Sequence, residues 1–204
     1  MSLLSSTVSI ARYRVEGIIE APVLEKIEKG LKKNAISDIE NEPEQKAVGW
    51  TSFEDPYVPD FDGSSFVIGT YMLFSLRIDK KSIPAKVVKK LYTEAVARKM
   101  AETGRDSLSR NEKQGIKDHV INTLNIRMPA VPNSYDLLWS VEDSFLWFFS
   151  TQKSANEELE TIFPKSFGPN LIRLFPYTCG FFESSLSEKE QGIINNLSPT
   201  RFTE

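Results

Sequence analysis

The sequence predicts an α+β fold, a largely antiparallel sheet with helices packed on it. Two observations carry this. Segments of period-two alternation, rich in β-branched and aromatic residues, are interleaved with segments of helical periodicity, in the order strand, helix, strands, helices, hairpin, helix, strand. Two aromatic stretches, "YDLLWSV" and "SFLWFFS", flank Glu142–Asp143, which marks an antiparallel hairpin. With 204 residues and 40% hydrophobic content, the chain can bury a substantial core.

Each element has its own signal. Thr7–Val15 alternates and reads as the first strand. A helix follows, with Pro22 suited to its first turn and Val23, Leu24, Ile27 and Leu31 forming an apolar stripe. Gly30 weakens it and Asn34 ends it. Residues 35–61 are acidic and contain Pro43, Pro56 and Pro59, so they read as loop, with a short piece of strand at "VGWTSF". "SFVIGTYMLFSLRID" is one strand, or two broken near Gly69.

The next helix starts at Pro84 and stops at Gly104, with Val87, Val88, Leu91, Tyr92 and Ala95 expected on its buried face. Ser109 and Glu112 have capping-box spacing and open a further helix carrying Ile116, Val120, Ile121 and Leu124, which Pro129 and Pro132 end. In the hairpin, Tyr135, Leu137, Trp139 and Val141 share one face, and Phe145, Trp147 and Phe149 another. "SANE" at Ser154–Glu157 repeats the capping spacing and opens a helix to about Phe163; "NLIRLFPY" is a strand, and "SEKEQGIINNL" a short last helix.

Several chemistries find no support. His119 and Cys179 are the sole histidine and cysteine, so neither a zinc cluster nor an intrachain disulfide can form, and a reducing cytosol is the expected compartment. Neither residue sits in a nucleophile signature; both read as structural. Walker and dinucleotide glycine motifs are absent. The N-terminus lacks a basic region leading into a long apolar stretch, so no signal peptide is read, and Phe145–Phe149 is far too short to span a bilayer. Asp55, Asp60 and Asp62, with Glu54 beside them, offer hard oxygen ligands for Mg²⁺ or Ca²⁺. An EF-hand counted from Asp60 would need Glu where Tyr71 stands, and turn chemistry explains the aspartates without a metal. No cofactor is expected.

Charge is the strongest functional signal. The chain carries a formal net charge of -3, yet Arg77–Arg127 holds 13 Lys/Arg against 6 Asp/Glu, while the remainder holds 12 against 22. A basic middle between acidic flanks points to an anionic partner approached by one region. On a helical wheel Lys86, Lys89 and Lys90 lie opposite the Val87–Leu91–Ala95 stripe, in the first two turns, where cations oppose the helix dipole by about 0.3–1 kcal/mol each. Lys80 and Lys81 precede them, and Arg77 stands just before. Arg98, Lys99, Arg105 and Arg110 continue the charge across the helix break, followed by Lys113, Lys117 and Arg127. These thirteen residues are the candidate contacts to phosphates. The competing reading is an ordinary solvated surface, since the overall pI of about 5.4 is not that of a basic protein. Trp139, Trp147 and Phe149 offer stacking on unpaired bases as a second role, against core packing as the first.

"GW" at Gly49–Trp50, "LRIDKKSIPAKVVKKLYTEAV" and "GRDSLSRNEKQGIKDHVINTL" resemble the RdgC family of recombination-associated proteins. The match runs over Ile83, Pro84, Val87, Val88 and Lys89, then Gly104, Arg105, Glu112, Lys113, Ile116, Lys117, Val120 and Leu124, and it extends to the hairpin and "LIRLFPYT". Ordered spacing within Ser82–Leu124 is its most specific part. The resemblance implies an RdgC-like domain over residues 1–178, with the basic two-helix region 80–127 inserted between sheet segments, and a C-terminal tail over 179–204. It implies a non-catalytic, sequence-independent binder of double-stranded DNA, in the cytoplasm and nucleoid. Family members form homodimers, head to head and tail to tail, that close into a ring with a positive hole, and they restrain a RecA-type recombinase by occupying DNA. The family also carries an exonuclease label. In this chain Pro129 replaces the aromatic of the family's "LPRAF"-like stretch, and the pattern is lost after Cys179. Two alternatives stand beside it: a Mg²⁺-dependent nuclease using Asp55, Asp60 and Asp62, and an interaction module that binds through its acidic flanks.

Overall fold

The strands are β1 (Ala11–Glu16), β2 (Lys46–Thr51), β3 (Val67–Ile68), β4 (Tyr71–Lys80), β5 (Val131–Ser140), β6 (Phe145–Phe148) and β7 (Asn170–Leu174). The helices are α1 (Val23–Lys33), α2 (Ala85–Thr103), α3 (Arg110–Arg127), α4 (Lys153–Phe167), α5 (Pro176–Phe181) and α6 (Glu188–Asn195), with a short 3-10 turn at Asp62–Ser64. The structure is a computed structural model that describes residues 3–182 and 186–197. All seven strands join one antiparallel sheet in the order β2-β4-β5-β6-β1-β7, with β3 also paired to β4. The α+β expectation holds.

One face of the sheet makes the core. β1 alternates strictly, burying Ala11, Tyr13 and Val15 and exposing Arg12, Arg14 and Glu16. Tyr13, Trp50, Phe74, Leu137, Trp139 and Phe148 meet Ile27 and Leu31 of α1 and Leu159 and Phe163 of α4, all essentially without solvent contact. Trp139 lies edge-on to Phe163 at 4.8 Å between ring centroids. The Tyr13 hydroxyl faces two acceptors, Asn156 Oδ1 at 2.7 Å and Glu160 Oε1 at 2.9 Å.

Gly49 and Trp50 show why that dipeptide stands out. A Cβ on Gly49 would come within 2.4 Å of Ile36 Cα, so only glycine lets the chain at Asn34–Ile36 lie along β2. There Trp50 N–H donates to Asn34 O and Ile36 N–H donates to Trp50 O. The Trp50 ring fills the core, and its Nε1 donates to Ser166 Oγ at 2.8 Å.

Several boundaries differ from the sequence reading. The first strand begins at Ala11, not Thr7. Pro22 is the N-cap of α1 rather than part of its first turn, and Leu24 is 45% exposed although it sat on the expected stripe. Gly30 is a packing site: a Cβ there would lie 2.5 Å from Ser166 O, so it admits α4 against α1. The "VGWTSF" piece is the regular six-residue strand β2. The hairpin turn is longer than Glu142–Asp143 and takes in Val141–Ser144, while β6 keeps the expected faces, with Leu146 and Phe148 toward the core and Phe145 and Trp147 opposite. α4 is capped by Gln152 without a capping box, and it runs through Pro164 to Phe167. "PYTCGF" turns into α5, with Pro176 at its start, so β7 stops at Leu174. The last helix is α6, as the sequence suggested.

The segment between β4 and β5 leaves the sheet and comes back to it. Lys80 and Val131 are cross-strand partners, so residues 81–130 begin and end at one point of the sheet. They form a two-helix arm in which α2 packs mainly on α3. No residue of α2 is fully buried: Val88, Leu91, Tyr92 and Ala95 are half-buried and Val87 is 39% exposed. The expected buried face of this helix is therefore corrected to a half-covered one, because a single helix lies beneath it. α3 buries Val120 and Leu124, which stand outside the main core cluster.

Local sequence shapes the arm. Gly104 takes φ 63° and ψ 21°, the left-handed conformation that stops α2, and its N–H donates to Met100 O. Ser109 and Glu112 make the reciprocal capping box of α3, with Ser109 N–H donating to Glu112 Oε2 at 2.8 Å. These amide and hydroxyl contacts hold the Glu112 carboxyl below its ordinary range, with Arg105 adding to the effect.

Candidate nucleic-acid interface

Strand alternation separates neighbours in the basic segment. Lys80 points to solvent, whereas Lys81 is 7% exposed and turned inward. Its Nζ donates to Glu40 O at 3.1 Å, Glu42 O at 2.7 Å and Asn125 O at 2.8 Å. All three ammonium hydrogens are used. Asn125 lies in the last turn of α3, where free carbonyls and the helix dipole favour a cation. Lys81 thus ties the acidic loop and the end of α3 to the end of β4, and it leaves the set of phosphate contacts.

Arg77 leaves it as well. Its Nε and a terminal nitrogen bind the two carboxylate oxygens of Asp79 at 2.8 and 2.6 Å, and its guanidinium lies 5.5 Å from the Tyr57 ring centre. The fork is committed to a bidentate pair that is largely shielded from water.

The other eleven candidates are exposed on the arm or at its root. Lys90, Lys99 and Arg105 share their charge with Glu94, Glu102 and Glu112 through exposed contacts of 4.0, 3.9 and 3.3 Å, which hold such side chains only weakly. Lys80, Lys86, Lys89, Arg98, Arg110, Lys113, Lys117 and Arg127 pair with no carboxylate among the described residues. The cations do not form one strip. Lys89 and Lys117 border a cleft at the root of the arm, while Arg98 and Lys99 border a second depression with Ile116 and His119. Positive charge wraps the arm on more than one side.

The aromatic and acidic candidates resolve differently. Trp139 and Phe149 are buried, so of the three aromatics only Trp147, 39% exposed, reaches solvent. It lies cross-strand from Arg12, and Arg14 lies beside Phe145. Sequence reasoning limited to residues 77–127 missed these two arginines; the outward positions of the alternating "ARYRV" were the available signal. Asp55 and Asp60 accept from the backbone N–H of Tyr57 and Asp62, each at 2.9 Å, and Asp62 pairs with Lys32. They shape their own loop, and the described residues include no group of three His, Cys, Asp or Glu placed to hold a metal ion. No described helix is long and apolar enough to cross a membrane.

A family model described as "Putative exonuclease, RdgC" aligns with residues 9–178. No curated protein matches the sequence. The aligned stretch takes in the whole sheet, the core helices and the basic arm, and on that extent the chain belongs to the RdgC family.

Proposed function

We propose that this protein is a non-catalytic, sequence-independent binder of duplex DNA that works as a dimer and restrains a RecA-type recombinase by occupying its DNA. The observation that carries the reading is the arm: a projecting helix pair that carries, along it or at its root, eight exposed lysines and arginines that pair with no carboxylate among the described residues. Membership of a recombination-linked family supports it. Lys and Arg that neutralise phosphates release condensed counterions, and no base needs to be read. A dimer brings two arms to one duplex, and binding then competes with recombinase filaments by mass action. Such a protein works in the cytoplasm, on the nucleoid.

The test is duplex affinity measured by fluorescence anisotropy across a salt series. With about six phosphate contacts, affinity falls roughly a thousandfold between 50 and 200 mM salt. Lys86→Glu/Lys89→Glu/Lys90→Glu is expected to abolish binding at moderate salt while the melting temperature holds. Affinity indifferent to salt, or to the triple reversal, overturns the reading. Labelled duplex incubated with Mg²⁺ is expected to stay intact; cleavage that stops on Asp60→Ala would establish a nuclease instead.

A further inference from the structure

The cleft at the root of the arm has a chemistry that a phosphate backbone does not call for. It encloses about 670 Å³ between α2, α3 and the chain leaving β4. Ile83, Val88, Tyr92 and Ile121 give it apolar walls. Lys89 on α2 and Lys117 on α3 stand at its border, and buried Lys81 lines it too. Neither Lys89 nor Lys117 pairs with a carboxylate among the described residues. Lys81 is buried and its ammonium is taken up by three carbonyls, so the cations free to meet a ligand here are Lys89 and Lys117.

Two exposed lysines beside an apolar trough select an occupant that is anionic and apolar at once. The volume lies within the range of ligand sites, which is about 300–1,000 Å³. The trough is open to solvent along one side. A small apolar molecule needs most of its surface enclosed, which an open trough does not provide. An extended peptide loses less, because one or two side chains fill the trough while acidic neighbours meet the lysines at its border.

We propose that this cleft is a docking site for a short acidic peptide segment of a partner protein, anchored by a bulky apolar side chain. The site goes beyond the DNA-binding reading and does not depend on it. It shares Lys89 and Lys117 with the proposed DNA contacts, so peptide and duplex exclude each other at the root of the arm.

The probe is a fluorescein-labelled octapeptide of aspartates around one leucine and one phenylalanine, titrated into the full chain. Two controls accompany it: the same peptide with serine for both apolar residues, and the same with asparagine for every aspartate. Saturable binding by the first, at least tenfold tighter than either control, is expected. Lys117→Glu and Ile121→Ser are each expected to weaken it about tenfold, and hydrogen exchange with the peptide bound is expected to slow at residues 83–92 and 117–121. The exchange measurement on the unaltered chain decides the matter even where a variant loses stability. Lys86→Glu, outside the cleft, separates the two readings: it weakens duplex binding and leaves peptide binding unchanged. Equal binding of the serine control would show a polyanion surface only, and protection elsewhere would place the contact on another face; either result overturns the proposal.

Discussion

Trp139 and Val87 are both large apolar residues in regular elements, yet Trp139 is 1% exposed and Val87 is 39% exposed. Trp139 lies between the sheet and α4, with Phe163 and Phe167 on its ring. Val87 lies on a helix that packs mainly on α3. The sheet and its two core helices are held by area removed from water. The arm is held by one helix pair, a glycine stop, a capping box and the Lys81 tie. It also carries an excess of like charge, which lowers the stability of a compact state. A region of few buried contacts opens at lower free energy than the core around it. What the arm lacks in burial it exposes as charged surface.

The comparison is broken first at its strongest point. Trp139→Ala is expected to cost about 3–5 kcal/mol by denaturant unfolding, from lost transfer energy and the cavity left behind. Leu91→Ala on the half-buried stripe of α2 is expected to cost about 1 kcal/mol. Equal costs would show that the arm has a core of its own.

Lys81→Met comes next. It removes three hydrogen bonds from a charged donor and leaves buried carbonyls without partners, for an expected cost of about 3 kcal/mol. Amide exchange should rise in α3 and in the acidic loop before it rises in β5 or β6. A loss below about 1 kcal/mol would mean that water replaces the ammonium.

The smallest effects are in pH, and they act on different regions. Burial pushes the Tyr13 hydroxyl well above its ordinary range, and Glu160 adds to the rise. The folded chain therefore keeps a proton that the unfolded chain releases above about pH 10. Stability from this group is complete below that pH and is lost as pH rises beyond it, which loosens the core. Glu112 goes the other way. Its carboxyl is depressed by the Ser109 amide and hydroxyl, so the cap of α3 is complete above the ordinary carboxylate range and is lost as pH falls through the lowered value. Acid should raise exchange in the arm first, and alkali in the sheet. Tyr13→Phe should remove the alkaline effect.

Periodicity made the sheet and most helices legible, because alternation in "ARYRV" and the Ser109–Glu112 spacing are local chemistry. The burial of α2 was not legible. A helical stripe states which side is apolar, not whether anything lies on it. The extra turn of α4 past Phe163 was hidden by Pro164, which sits in a last turn that Phe167 packs against Trp50 and Trp139. At the candidate site, charge density along the chain found the arm. It did not separate Lys80 from Lys81, because that difference arises from where β4 ends and which carbonyls wait there. The fate of Arg77 likewise rests on Asp79 and Tyr57, the second of which comes from a distant loop.

The exit and return of the arm at one register pair has an architectural consequence. Since Lys80 and Val131 face each other across β4 and β5, helical turns can be gained or lost beyond them without shifting any other strand. The sheet behaves as a fixed handle, and the length of the arm is uncoupled from the register of the strands. Lengthening or shortening the helices within residues 81–130 should therefore leave the pairing of the strands unchanged.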